Sequence, residues 1–180
     1  SFQSVASYNP FFGNSEYTLT GQGDAMPVAG VMVNEGFFPT LGVTPRMGRL
    51  FTHEECLKGG PEAVLLSDAL WRNRFSADPG VVGRVITLSK VPMTVVGVLP
   101  ASFDFGAVFA PGQRMDLFVP LRMDVVRNWG NTLALVGRLK PGVTVRQAQA
   151  EADVVFPQLK AAHKDWWGDY TSTLTNLKEY

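Results

Sequence analysis

Apolar positions fall in short runs whose period changes several times along the chain. Ser4–Tyr8 and Tyr17–Thr20 are rich in aromatic and β-branched residues and are punctuated by Gly13-Asn14 and Gly21–Asp24, so both read as strands between turns. Pro27–Glu35 (PVAGVMVNE) is a further strand, interrupted by Gly30. The period then shifts. In Gly36–Leu41 the residues Phe37, Phe38 and Leu41 share one side at helical spacing, which predicts a short core-facing helical turn ending at Gly42.

The middle of the chain mixes both periods. Thr52–Glu55 has the capping-box pattern, and Gly59-Gly60-Pro61 ends any helix there quickly. Ala63–Leu66 is a wholly apolar strand, and Ser67 caps a helix DALWRNRF whose Leu70, Trp71 and Phe75 form its apolar face. Val81-Val82-Gly83 is a short turn. Arg84–Ser89 and Met93–Leu99 form a hairpin joined through Ser89–Pro92, and Pro100 stops its second strand. Phe103–Pro111 reads as an irregular apolar loop. Met115–Leu121 is a strand that Pro120 places near a sheet edge.

Asn131–Leu139 is a strand, Lys140-Pro141-Gly142 a turn, and Thr144–Gln147 a second capping box. The helix opened there carries Val145, Ala148, Ala152, Val155 and Leu159 at spacings of three and four. Pro157 predicts a kink or break near Asp153–Phe156. Tyr170–Leu177 reads as a last β-branched strand. Strands and helices alternate without the regular rhythm of a doubly wound sheet, which points to an α+β fold with a middle insertion.

Composition narrows the function. Apolar residues make up 46% and charged residues 18%, and sixteen basic residues balance sixteen acidic ones, so no global field favours nucleic acid. One cysteine, Cys56, excludes an internal disulfide, and the two histidines, His53 and His163, are far apart. No apolar run approaches a membrane span and no signal peptide is visible. The abrupt ends, SFQSVASY and TNLKEY, suggest a piece of something longer.

Catalytic motifs are absent: no P-loop, no dinucleotide fingerprint, no H-E-x-x-H and no G-x-S-x-G. His53-Glu54-Glu55 lacks a second histidine at metal-binding spacing. Cys56 is better read as an incidental residue than as a reactive thiol. Glu54 and Glu55 diverge by about 100° on a helix, so they suit stabilisation of a helix N-terminus rather than a shared substrate. Trp71 belongs to a core face, whereas Trp129, Trp166 and Trp167 lie in loop-like sequence and are candidate interaction residues. The chain is expected to be non-enzymatic, without cofactor or metal.

Several stretches in order carry a family resemblance. Val33–Gly42 with Gly48, Arg49, Leu50 and Phe51, then Val64–Phe75 with Ser67, Trp71 and Phe75, then Asp78–Leu88 with Gly83, then Val95–Phe103 with Gly97 and Pro100, together resemble the periplasmic core domain of MacB/FtsX-like ABC transporter permeases. Leu135–Ala152 is similar to the family's return strand, Pro-Gly turn and helix. The overall similarity is to the group with duplicated permease halves.

The resemblance implies a porter-like β-α-β sheet subdomain, residues 1–45 and 125–180, split by a smaller inserted α/β subdomain, residues 46–124. It also implies a non-catalytic periplasmic domain of an inner-membrane protein that couples ATP-driven transmembrane motion to a periplasmic partner or substrate. The partners it implies are the permease's own transmembrane helices, a cytoplasmic ATPase, a second copy and a periplasmic adaptor. In the residue roles it implies, Phe37, Phe38, Gly42, Gly48, Arg49, Phe51, Ser67, Trp71, Phe75, Gly83, Gly97 and Pro100 are structural. The two chain ends should lie together at one end of the fold. The competing reading is an extracytoplasmic ligand-binding or sensory domain for a peptide or lipid, which requires a closed apolar pocket with converging polar groups.

Overall fold

The computed structural model describes residues 1–10, 16–126, 133–162 and 172–177. In chain order the elements are β1 (Phe2–Tyr8), β2 (Glu16–Thr20), β3 (Met26–Val33), α1 (Phe37–Leu41), β4 (Met47–Gly48), β5 (Ala63–Leu66) and α2 (Asp68–Phe75). There follow β6 (Val85–Leu88), β7 (Val91–Val98), α3 (Phe105–Phe109), β8 (Leu117–Pro120), α4 (Met123–Val126), β9 (Ala134–Leu139) and α5 (Val145–Ala162). The fold is mixed α and β, with 3-10 turns at Glu54–Cys56 and Pro79–Val81.

The strands form one sheet in the order β2-β6-β7-β5-β8-β3-β1-β9, and β2 also pairs with β3. That extra pairing closes six strands into a ring. β3 makes it possible by using its first half, Met26–Ala29, against β2 and its second half, Gly30–Val33, against β8. Alternation then sorts side chains to two sides of the ring wall. Leu19, Val28, Val64, Leu66, Ile86, Leu88, Met93, Val95, Leu117 and Val119 form the inner cluster, joined by Leu70, Trp71 and Phe75 from α2.

The opposite side of the same strands, including Val31, Val33, Leu65, Val96 and Phe118, forms a second core with α1 and α3. Its aromatic rings pack edge to face, with Phe37 and Phe38 centroids 5.3 Å apart and Phe38 and Phe118 also 5.3 Å apart. Each such fully buried side chain contributes about 1.5–3 kcal/mol of transfer free energy. β1 and β9 extend the sheet beyond the ring, pairing antiparallel from Ser4↔Arg138 to Tyr8↔Ala134.

Five expectations change. Phe103–Pro111 contains α3, started by Asp104, whose Oδ1 accepts the Ala107 N–H at 3.2 Å. β8 lies inside the sheet between β5 and β3, not near an edge. Pro120 is tolerated because Leu121 donates to the Val33 carbonyl of β3, so the Pro120 nitrogen faces β5 beyond its last pair, Leu65↔Phe118.

α5 runs unbroken through Pro157, which is exposed, leaving the Asp153 carbonyl open to water. Finally, Ser172–Asn176 form no strand; the Gln149 side chain, not a neighbouring strand, bonds Ser172 and Leu174. The hairpin connection is also tighter than expected: β7 begins at Val91, and Ser89 and Lys90 turn the chain with φ of 48° and 73°.

Candidate functional site

The residues of the family-like motifs cluster where elements meet, and their polar atoms are spent on one another. Arg49 and Glu55 form a two-pronged ion pair, Nη2 to Oε1 at 2.6 Å and Nη1 to Oε2 at 3.0 Å. Glu55 is buried and also accepts the Thr52 N–H at 2.9 Å, while its own N–H donates to Thr52 Oγ1 at 3.4 Å. Burial pushes the Glu55 carboxyl upward, but Arg49 and Thr52 outweigh it and hold the group below the usual carboxylate range. The capping box is therefore present, and Glu55 does more than serve a helix end: it fastens the segment 49–56 and seats Phe51 in the outer core.

Gly48 faces Gly97 across β4 and β7, with φ of 73°. A Cβ on Gly48 would lie 2.3 Å from the Val96 carbonyl oxygen, so only glycine permits this approach. Ser67 caps α2 by accepting the Leu70 N–H at 3.1 Å. Trp71 donates from Nε1 to the Asp78 carbonyl at 2.8 Å, and the Arg46 and Arg72 guanidinium carbons lie 5.3 and 5.5 Å from its ring. Phe75 completes the inner cluster. Gly42 caps α1 in the left-handed region, the Gly83 N–H donates to Val95, and Pro100 follows the end of β7.

Cys56 and His53 do not form a nucleophile and base. Both turn toward Glu35 instead, with His53 Nδ1 2.8 Å from Glu35 Oε1. Burial, followed by the charge of Glu35, pushes the buried Cys56 thiol up to about 12, so it stays protonated and inert at neutral pH. Among the described residues, no group of three or more His, Cys, Asp or Glu side chains could hold a metal ion.

The hollows lie elsewhere, at the β1–β9 end. One groove of about 470 Å³ is bounded by Phe2, Leu41, Arg138, Val145, Leu174 and Leu177. The adjoining cleft, about 380 Å³, separates the outer face of β1 and β9 from α5 and is lined by Val5, Leu135, Val155, Phe156, Leu159 and Leu174 among others. α5 buries only Ala148 among its described side chains, and Leu135 stays 71% exposed. The apolar stripe of α5 was visible in its spacing. That the stripe faces a partly open cleft was not, because openness depends on how far the helix stands from the sheet.

Phe2, next to the first residue, and Leu177, the last described one, line the same groove, so the two ends of the described chain meet there. Trp129, Trp166 and Trp167 lie outside the described residues.

A family model for the MacB-like periplasmic core domain matches residues 1–155. The chain belongs to that family. It is 31% identical over 137 residues to the macrolide export ATP-binding/permease protein MacB of Rhodopseudomonas palustris (strain HaA2), a match covering 74% of this chain and 20% of the relative. The chain thus spans about a fifth of the length of that relative.

Solved structures share the fold. The periplasmic region of MacB from Actinobacillus actinomycetemcomitans matches with a TM-score of 0.63 at 18% identity, covering 91% of this chain and 68% of that one. The extracellular domain of the noncanonic ABC-type transporter YknZ from Gram-positive bacteria matches with a TM-score of 0.62 at 16% identity, covering 91% and 77%. A domain of a putative permease protein from Porphyromonas gingivalis gives 0.61 at 18% identity, covering 90% and 65%. This chain is therefore a MacB-like periplasmic core domain.

Proposed function

We propose that this domain is non-catalytic, lies outside the cytoplasm, and couples ATP-driven motion of transmembrane helices to a periplasmic partner or substrate. Family membership over residues 1–155 carries the reading. The use of the motif residues in packing, caps and ion pairs supports it, since a transmitting body needs rigidity more than chemistry. The placement of Phe2 and Leu177 on one groove supports attachment of both ends to membrane helices at one pole. The partners in this reading are the permease's own helices, a cytoplasmic ATPase, a second copy and a periplasmic adaptor, with Trp129, Trp166 and Trp167 as interaction residues.

We also propose that residues 46–124 act as the inserted unit at the far end, against a membrane-side unit of residues 1–45 and 125–180. The alternative of a ligand-binding or sensory domain has less support: the two hollows at the β1–β9 end, among the described residues, are grooves open to solvent, whereas that reading needs an enclosed pocket. The test uses the intact permease with its ATPase, carrying a spin label at the exposed Val85 of this domain and of the second copy, so that motion of one rigid body against the other is read. A label distance or orientation that changes with the ATP cycle supports coupling. Labels that stay fixed through complete cycles would overturn it.

A further inference from the structure

The segment 172–177 is held to the body by an unusual contact. Gln149 on α5 donates from Nε2 to the Ser172 carbonyl at 3.0 Å and accepts the Leu174 N–H on Oε1 at 2.7 Å. A carbonyl and an N–H two residues apart, facing the same way, are what an edge strand offers to its neighbour. One side-chain amide therefore takes the place of a whole paired strand. Among the described residues, no backbone-to-backbone hydrogen bond ties Ser172, Thr173 or Leu174 to the domain.

The amide is itself oriented. Gln149 Nε2 also donates to Asp153 Oδ1 at 2.7 Å, one turn along the helix. With the carboxylate on the nitrogen side, the oxygen is left for Leu174, so Asp153 positions the amide in its working sense. Beneath this clamp, Leu174 lines both hollows and Leu177 packs against the outer core beside α1. The segment bridges α5 and the α1 side of the sheet.

We propose that residues 172–177 are a releasable strap, latched by Gln149 and oriented by Asp153, whose release uncovers the apolar cleft between α5 and the β1–β9 face. The physical basis is an imbalance. The ring behind the strap is held by continuous ladders and two apolar cores, whereas the strap's backbone at Ser172 and Leu174 is held by a single side-chain amide. A displacement applied to the strap therefore breaks the latch before it disturbs the ring. The device rests on the coupling proposal for its purpose, since it supplies an element that can move relative to a rigid body.

Amide hydrogen exchange on this chain tests the latch. In Gln149→Ala the Leu174 amide should exchange about tenfold faster or more, with the core amide of Leu65 unchanged. Binding of an apolar dye to the uncovered cleft should rise in parallel. Asp153→Asn provides a second variant, because it weakens the orienting contact without shortening Gln149; Leu174 should again accelerate relative to Leu65. Equal Leu174 exchange in the parent and in both variants would overturn the latch, as would acceleration of Leu65 in step with Leu174 in both. The exchange result stands apart from the coupling proposal, which is read from label distances across the ATP cycle.

Discussion

At the scale of single residues, Glu55 shows how a motif without chemistry can still be essential. Its carboxylate is buried yet receives an arginine and a backbone N–H, so the charge is compensated on both oxygens. Its folded pKa lies below its ordinary value, which fixes the sign of its effect on stability. The contribution is complete above the unfolded value near ~4.3 and is lost as pH falls through the lower folded value. Glu55→Gln should cost about 1.5–3 kcal/mol at neutral pH, the range for hydrogen bonds to charged groups. Urea unfolding at pH 7 and along an acid series checks this: the difference between parent and variant should shrink toward the acid end.

Trp71 makes a related point. Helical spacing alone assigned it to a core face, and it does fill the inner cluster. Its two flanking guanidinium groups come from Arg46, far away in sequence, and from Arg72 beside it. No periodicity could have announced the first of these.

At the scale of elements, local rules and their exceptions can be separated. The β6–β7 turn places Lys90 at a φ of 73°, where a side chain is strained. Lys90→Gly should raise stability by roughly 1 kcal/mol, read from the midpoint of thermal unfolding, while Ser89 keeps its bonds to Thr18. Pro157 gives the converse case. The expected break is absent because α5 is solvent-facing there and water can take the orphaned Asp153 carbonyl. Pro157→Ala should add helical hydrogen bonding and slow amide exchange at the neighbouring positions of α5, at no cost to the sheet. Faster exchange there would show that the proline relieves crowding that alanine does not.

The helix α3 shows why a short element can escape local rules altogether. Gly106 inside Phe105–Phe109 lowers helix propensity, and only the Asp104 cap signals a start. The helix forms because Phe105 and Phe109 join Tyr8 and Phe37 in one aromatic group. Those contacts come from distant strands and from α1, so tertiary packing overrides the local preference.

At the scale of the whole molecule, the ring determines how the two proposed units depend on each other. Residues 46–124 supply β5, β6, β7 and β8, but β2 and β3 come from the first 45 residues and close the ring. A fragment of residues 46–124 should therefore fail to unfold cooperatively on its own, because β6 and β8 would become open edges and the inner cluster would lose Leu19 and Val28. The same fragment supplied with β2 and β3 should regain a cooperative transition by circular dichroism. A cooperative 46–124 fragment would show that closure is dispensable.

The sequence by itself determined most of the strands and the helices α1, α2 and α5, the capping boxes at Thr52 and Thr144, the core faces of Phe37, Phe38 and Trp71, and the absence of a catalytic motif. These are local properties: period, cap chemistry and turn residues act within a few positions. Only the tertiary structure decided that β3 pairs with two partners along one length, that Pro120 is interior, and that α5 stands away from β1 and β9. It also decided that Gln149 holds Leu174. Each of these depends on which surfaces meet, and long-range pairing is set by the balance of burial over the whole chain rather than by any one segment.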